Sequence, residues 1–280
     1  MPDPCPNRRL RGRHLLARLF EKGVCISYTL VGFMVESNHY HAVVVDNDGR
    51  LPEFLADLHR NVAKHQNALR GQWENMWDPS QPSVVELVEP DDVMAKLIYT
   101  LSNPAKDGLV DTVMHWPGAS SLRATLFGKD LTAVRPRRFF RPDGAMPVRV
   151  ELRCIRAPGF ERLSEDAYRR LIKERLGEVE RVAAADRARR GVRVLGRKQI
   201  LRQSSFDRPS SNKPRRKLDP RIAAADKCPR IEAIARLKAF RAAYNEARCA
   251  RLAGNPAVVF PAGTYFLRRF ARVACGVCVT

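Results

Sequence analysis

Apolar positions over residues 24–46 fall into two blocks, Val24 to Val35 and Ala42 to Val45, separated by the polar step Glu36-Ser37-Asn38. Both blocks are rich in β-branched and aromatic residues, so they predict two strands joined by a tight turn, a hairpin. Ahead of them, Leu15, Leu16, Leu19 and Phe20 recur at helical spacing, which predicts a helix from Leu10 to Lys22 ended by Gly23. After the hairpin, Asn47-Asp48-Gly49 breaks the chain. Pro52 then opens a helix to about Leu69, with Phe54, Leu55, Leu58 and Val62 forming its apolar stripe. Trp73 to Pro82 reads as a loop and Ser83 to Val88 as a strand. Pro90, Asp91 and Asp92 start a third helix, expected to end near Asn103 because Pro104 disfavours a helical residue before it.

The resulting order, α-β-β-α-β-α, predicts an α+β fold. It matches a ferredoxin-like antiparallel sheet with helices whose first strand is missing and to which a helix is appended. Pro2, Pro4 and Pro6 exclude a central strand from the available N-terminal residues. The apolar stretch Val273 to Val279 is one candidate for that vacant place. Beyond Pro117 the pattern changes. Ser164 to Arg190 predicts a long charged helix with Ser164 as N-cap. Gln203 to Pro220, made of Ser, Pro, Arg and Lys, predicts a flexible basic linker, and Arg230 to Leu252 a further helix. The expected organisation is thus a first domain over residues 1–121 and a basic, largely helical region over 122–280.

Charge sharpens that division. The net charge is +20, yet residues 1–121 carry 12 Lys+Arg against 15 Asp+Glu, leaving 38 against 15 for residues 122–280. A surplus so concentrated argues for a polyanionic partner, most simply nucleic acid, held by the C-terminal half. Arginine dominates over lysine, which suits bidentate phosphate contacts. The clusters Arg135, Arg137, Arg138 and Arg141, interleaved with Phe139 and Phe140, and Arg215, Arg216 and Lys217 are the candidate nucleic-acid-binding residues. A solvated basic surface is the plainer alternative. No run of about 18 apolar residues exists to span a membrane, and the N-terminus lacks a signal-peptide apolar core, so a cytoplasmic protein is expected. The seven cysteines, an odd number, suggest scattered reduced thiols. Cys275-Gly276-Val277-Cys278 lacks the second pair that a structural zinc site needs.

Chemistry enters at Asn38-His39-Tyr40-His41. Side chains alternate along a strand, so His39 and His41 share one face and make half of a divalent-metal site. On the third helix Tyr99 and Asn103 are four residues apart and share a face, which Asp92 and Lys96 continue. A tyrosine beside two histidines and a metal suggests phenolate attack on a phosphodiester, leaving a covalent phosphotyrosine and a free hydroxyl end. Asn103, through its side-chain carbonyl, can be a third ligand to a hard cation such as Mg²⁺. The plainer readings stay open: a structural histidine pair at a hairpin, a half-buried tyrosine, and an asparagine that ends a helix.

These residues resemble a known family. His39-Tyr40-His41 is similar to the motif of two histidines around a bulky hydrophobic residue in the single-tyrosine HUH transposases. The stretch Tyr99-Thr100-Leu101-Ser102-Asn103-Pro104-Ala105-Lys106-Asp107-Gly108-Leu109-Val110 resembles their nucleophile helix and its exit. The similarity is nearest to the REP-associated tyrosine transposases, whose following Trp-Ser-Ser element is echoed by Trp116 to Ser121. It covers about Val24 to Ser121. The resemblance implies a metal-dependent endonuclease and strand transferase acting on single-stranded DNA folded into hairpins. Tyr99 would be the nucleophile, His39, His41 and Asn103 the ligands, and Mg²⁺ or Mn²⁺ the cofactor. A non-catalytic nucleic-acid-binding protein, derived from a truncated or domesticated transposase, is the competing expectation. The sequence leaves a single chain and an oligomer both open.

Overall fold

The computed structural model describes residues 28–276, apart from 48, 80–81, 137–140, 142, 145–146 and 205–219. The helix expected over Leu10 to Lys22 lies outside the described residues. So do Arg137, Arg138, Arg215, Arg216 and Lys217, together with most of the expected linker.

The predicted hairpin forms from β1 (Tyr28–Val35) and β2 (Tyr40–Asp46), antiparallel, with Val35 opposite Tyr40 and Met34 opposite His41. The Glu36 N–H donates to the His39 carbonyl at 2.8 Å and closes the turn. The register shifts between Leu30 and Gly32, a bulge that breaks the simple alternation of β1. Leu30 and Phe33 then face Phe54, Leu58 and Val62 of α1 (Leu51–Arg70). Val31 and Val43 face Met94, Leu97, Ile98 and Leu101 of α2 (Pro90–Lys106). Helices thus cover both sides of a two-stranded sheet. Burial of each such aliphatic side chain stabilises the stack by about 1.5–3 kcal/mol. Asp46 fixes the entry to α1, its two carboxylate oxygens accepting from the N–H groups of Arg50 and Leu51 at 2.8 and 2.9 Å.

The predicted end of α2 is corrected. The helix continues through Pro104 to Lys106. Proline removes one helical hydrogen bond and crowds the preceding turn, but Pro104 is fully buried and lies only one turn from the end. The turn closes at Gly108, whose φ of +69° is left-handed, with its N–H donating to the Ala105 carbonyl at 3.2 Å. The predicted strand over Ser83 to Val88 shrinks to β3 (Glu86–Leu87). It pairs in parallel with β6 (Ile222–Ala223) and not with the hairpin. Its apolar run satisfies strand propensity, but only two residues find a partner.

The chain next forms α3 (Leu122–Phe127) and a second hairpin, β4 (Leu131–Val134) with β5 (Arg149–Leu152). In α4 (Glu165–Arg189), the Ser164 Oγ accepts from the Ala167 N–H at 3.2 Å, as the capping reading expects. Tyr168, Ile172 and Leu176 of α4 enter the same buried cluster as Met94, Leu97 and Leu101, so this core continues across residue 121. A short α5 (Gly196–Arg202), α6 (Lys227–Leu252) and α7 (Phe266–Phe270) follow. Val273 and Cys275 pack with Phe260 in a local cluster, and Cys275 bridges Phe260 in parallel. Among the described residues of that stretch, none pairs with the hairpin. Antiparallel pairs and separate helices make the architecture α+β. No helix among the described residues is long and apolar enough to cross a membrane.

Candidate active site

Residues 119–121 run beside β1 on the side away from β2. The Val35 N–H donates to the Ala119 carbonyl and the Ser121 N–H to the Phe33 carbonyl, both at 2.9 Å. The Ser121 Oγ accepts from the Phe33 N–H at 2.8 Å, and the Trp116 Nε1–H donates to the Val35 carbonyl at 3.0 Å. The chain that leaves α2 is thereby fastened back onto the histidine hairpin. A second tie comes from α4, where Arg187 Nη1 donates to the Ala105 carbonyl at 3.0 Å. Glu180 Oε1 accepts from the Thr112 hydroxyl and the Val113 N–H at 2.9 and 2.7 Å.

Held this way, α2 lays its polar face against the hairpin. The rings of His39 and His41 stand edge to face, 5.0 Å between centroids, and those of His41 and Tyr99 are 5.5 Å apart. The Asn103 amide nitrogen is 3.4 Å from His39 Nε2, and Asn103 is buried. The four residues singled out in the sequence therefore meet. Tyr99 is 38 % exposed and so open to solvent. Lys96 Nζ and Lys106 Nζ lie 4.9 and 4.1 Å from its ring centre. Tyr40 points to the opposite face, as strand alternation requires. Its hydroxyl meets His59 Nε2 at 2.7 Å, and burial pushes its phenol up to about 12.

Electrostatics favour neutral imidazoles. Burial, then His39 and Lys96, hold His41 down at about 4, and burial also lowers His39. Both rings keep a lone pair at neutral pH, the form that binds a metal. His39 Nδ1 is 2.8 Å from Asn38 Oδ1. That oxygen can only accept, so the proton sits on Nδ1 and Nε2 faces the site as an acceptor.

Glu36 is the residue that sequence reasoning missed. Its side chain is only 3 % exposed, with Oε2 at 3.4 Å from His39 Nε2. Asn103 hydrogen-bonds its carboxyl, and the buried Oε1 has no partner. Burial, reinforced by Asp107, pushes the carboxyl up to about 7. The available signal is a single acidic residue ending an apolar strand three positions before His39, and a turn residue explains that equally well. Among the described residues, no three His, Cys, Asp or Glu side chains form a group that could hold a metal. The donors that fit a divalent ion therefore include the Asn103 amide, with two neutral imidazoles beside it.

The other candidate residues lie elsewhere. Arg135 sits in the connection between β4 and β5, where its Nη1 donates to the Gly144 carbonyl at 3.0 Å. Arg141 lies in the same connection, and its carbonyl accepts from the Gly144 N–H. Comparison with protein-family models, curated proteins and solved structures finds no match to this chain.

Proposed function

We propose that this chain is a metal-dependent, single-stranded DNA strand transferase of transposase type, acting through a phosphotyrosine. The observation that carries the reading is the meeting of Tyr99 with His41, His39 and Asn103, brought together by one hairpin and one helix. The resemblance of Val24 to Ser121 to the REP-associated tyrosine transposases supports it. On this reading β1 and β2 belong to a ferredoxin-like sheet, with residues 119–121 along one edge.

His39, His41 and the Asn103 side-chain oxygen would hold Mg²⁺ or Mn²⁺. The ion, when bound, supplies Lewis acidity to a phosphodiester oxygen. Tyr99 Oη bonds to phosphorus while the bond to one strand oxygen breaks. The phenol proton is given up and the departing oxygen takes one, leaving a free hydroxyl end. Attack by another strand hydroxyl reverses the exchange without any redox step. Lys96 and Lys106 hold their ammonium groups over the Tyr99 ring, and two positive charges that near the nucleophile would favour the charge that builds on a transferring phosphoryl group.

The test is incubation of the full chain with labelled single-stranded hairpin DNA and Mg²⁺ or Mn²⁺, followed by denaturing electrophoresis. A metal-dependent covalent protein–DNA band, absent in Tyr99→Phe and His39→Ala, supports the reading. A second reading, a nucleic-acid binder without chemistry, is favoured by the short β3, which pairs with Ile222–Ala223 and leaves the hairpin without it. DNA binding with no covalent band under either metal selects that second reading.

A further inference from the structure

We infer that α6 binds the double-stranded stem of a DNA hairpin, laying one basic face into its major groove. The inference rests on the DNA-binding part of the reading above and not on its chemistry. It falls on a helix that neither the arginine clusters singled out in the sequence nor the tyrosine site includes.

Three observations carry it. The first is a one-sided charge. Lys227, Lys238, Arg241, Asn245 and Arg248 recur at helical spacing, so they share one face of α6, and all five are exposed. Glu232 and Glu246, the acidic residues of the helix, fall more than about 100° round from that face, at about 100° per residue. Arg236 Nη2 pairs with Glu86 Oε1 at 3.1 Å on the opposite side. Among the described residues the four cations of the face hold no carboxylate, which leaves them for phosphates. The second is shape. The helix has 26 residues, and its buried ones are Ala233 and Ala247, so nearly its whole length, about 39 Å, stands clear of the core. Exposed Ala235 and Ala242 lie beside the basic face, where no bulky side chain holds a partner off. A helix about 10–12 Å across fits a major groove about 12 Å wide. The third is place. The Ala225 N–H, at the entry to α6, donates to Asp92 Oδ1 at 2.8 Å. Asp92 stands in the first turn of α2, about 10 Å before Tyr99 along the helix. The start of α6 is thereby tied to the start of the tyrosine helix, which gives a bound stem a fixed position relative to Tyr99. Other occupants fit less well. Like charge opposes a second copy on this face. Exposed Ile231, Ile234 and Leu252 lie toward its ends and do not make the continuous apolar stripe that membrane insertion needs.

The experiment titrates the full chain into a fluorescein-labelled DNA hairpin and, separately, into an unpaired oligothymidylate of equal length. Anisotropy is read across a salt series in EDTA, and co-sedimentation with vesicles of phosphatidylserine and phosphatidylcholine is the parallel arm. The proteins are wild type, the α6 variant Lys238→Gln/Arg241→Gln/Arg248→Gln, the charge-matched α4 variant Arg170→Gln/Lys173→Gln/Arg181→Gln, and Ala242→Glu, each with a melting curve. The α6 variant should lose hairpin affinity by at least about tenfold, and its salt slope should fall by about two to three, close to one for each phosphate contact removed. The α4 variant should stay within about threefold of wild type, since it changes only the distant field. The oligothymidylate should lose less than the hairpin. Ala242→Glu sets an acid beside the basic face and should also weaken the hairpin; it decides the matter should the α6 variant melt early. Equal losses in the α6 and α4 variants, or unchanged hairpin affinity in the α6 variant, would overturn the inference and leave the strand-transfer reading to its covalent-band assay. An equal loss on the unpaired strand overturns it too, as does wild type that binds vesicles but no hairpin. A hairpin affinity that depends on α6, in a protein that forms no covalent band, upholds the inference and removes the chemistry.

Discussion

Gly32→Ala is the smallest change that tests how the hairpin and α2 are joined. Gly32 lies at the bulge of β1, where an added methyl would come within 2.4 Å of Leu97 Cδ1 and 3.1 Å of Ser121 Oγ. Carbon atoms rest at about 3.5–4.0 Å, so hairpin and helix must separate by more than an ångström or Leu97 must leave its rotamer. Leu97 is fully buried, so its movement must be taken up by the side chains packed around it. Overpacking of this kind costs about 1–3 kcal/mol, and replacing a strand glycine by alanine returns about 0.5–1 kcal/mol. The expected net loss is therefore about 1–2 kcal/mol. Leu97 is two residues from Tyr99, so the same movement carries the phenol away from His41. A misplacement of about 1 Å can cost on the order of a hundredfold in rate. Urea unfolding followed by tryptophan fluorescence measures the stability, and the covalent-band assay measures the rate. Leu97→Ala alone should cost about 2–5 kcal/mol. The double substitution should cost at least about 1 kcal/mol less than the sum, because the new methyl fills the space vacated. A stable or stabilised Gly32→Ala, or strict additivity in the double variant, would refute the packing argument.

Ser121→Ala leaves the buried Phe33 N–H without its acceptor and should destabilise by about 1–3 kcal/mol, read in the same unfolding experiment; an unchanged midpoint would count against the tie. In the metal-free protein Glu36 should make a stabilising contribution that falls as pH rises, opposed up to about pH 6.5 by His41, whose pKa is held down at about 4 in the fold. The Glu36 carboxyl is held up near 7 in the fold against 4.5 as its reference, so the folded state binds this proton more tightly. Its contribution is complete below pH 4.5 and disappears as pH passes 7, at most about 3 kcal/mol and nearer 1–2 kcal/mol with solvent screening. Glu36→Gln should flatten that part of the pH profile, measured by melting in EDTA between pH 5 and 8. Lys106→Met should slow covalent-band formation by about ten- to a hundredfold, with melting unchanged, by removing a cation from beside Tyr99. Equal rates would exclude an electrostatic role.

The hairpin is legible from apolar blocks on either side of a polar turn, α1 and α2 from periodic apolar stripes that the sheet buries, and the long helix Glu165–Arg189 from its Ser164 cap. Tyr99 and Asn103 are legible as a pair because helical spacing alone puts them on one face. What periodicity cannot carry is partnership. Ser83 to Val88 has strand composition, but its partner Ile222–Ala223 lies far along the chain. The bulge at Leu30–Gly32 leaves no mark in an apolar run. Tyr168, Ile172 and Leu176 mark a buried stripe on α4, yet their sharing a core with Leu97 and Leu101 is a tertiary fact. Pro104 misleads because local preference ends a helix where buried packing extends it by three residues, to Lys106. Glu36 escapes because its meaning depends on an unsatisfied oxygen, which no spacing encodes.

Residues 119–121 have a consequence for how copies of this chain meet. A bare strand edge is a template on which another molecule can add itself, and the usual beginning of aggregation or of exchange between copies. Along β1 that template is occupied by the chain's own later segment, with Val35, Phe33 and Ser121 bound across it. A second copy could trade its hairpin only after stripping Ser121 from Phe33, which exposes buried donors and acceptors before any are regained. The short stretch after the tyrosine helix thus also acts as a guard against misassembly, raising the barrier to swapping in concentrated solution.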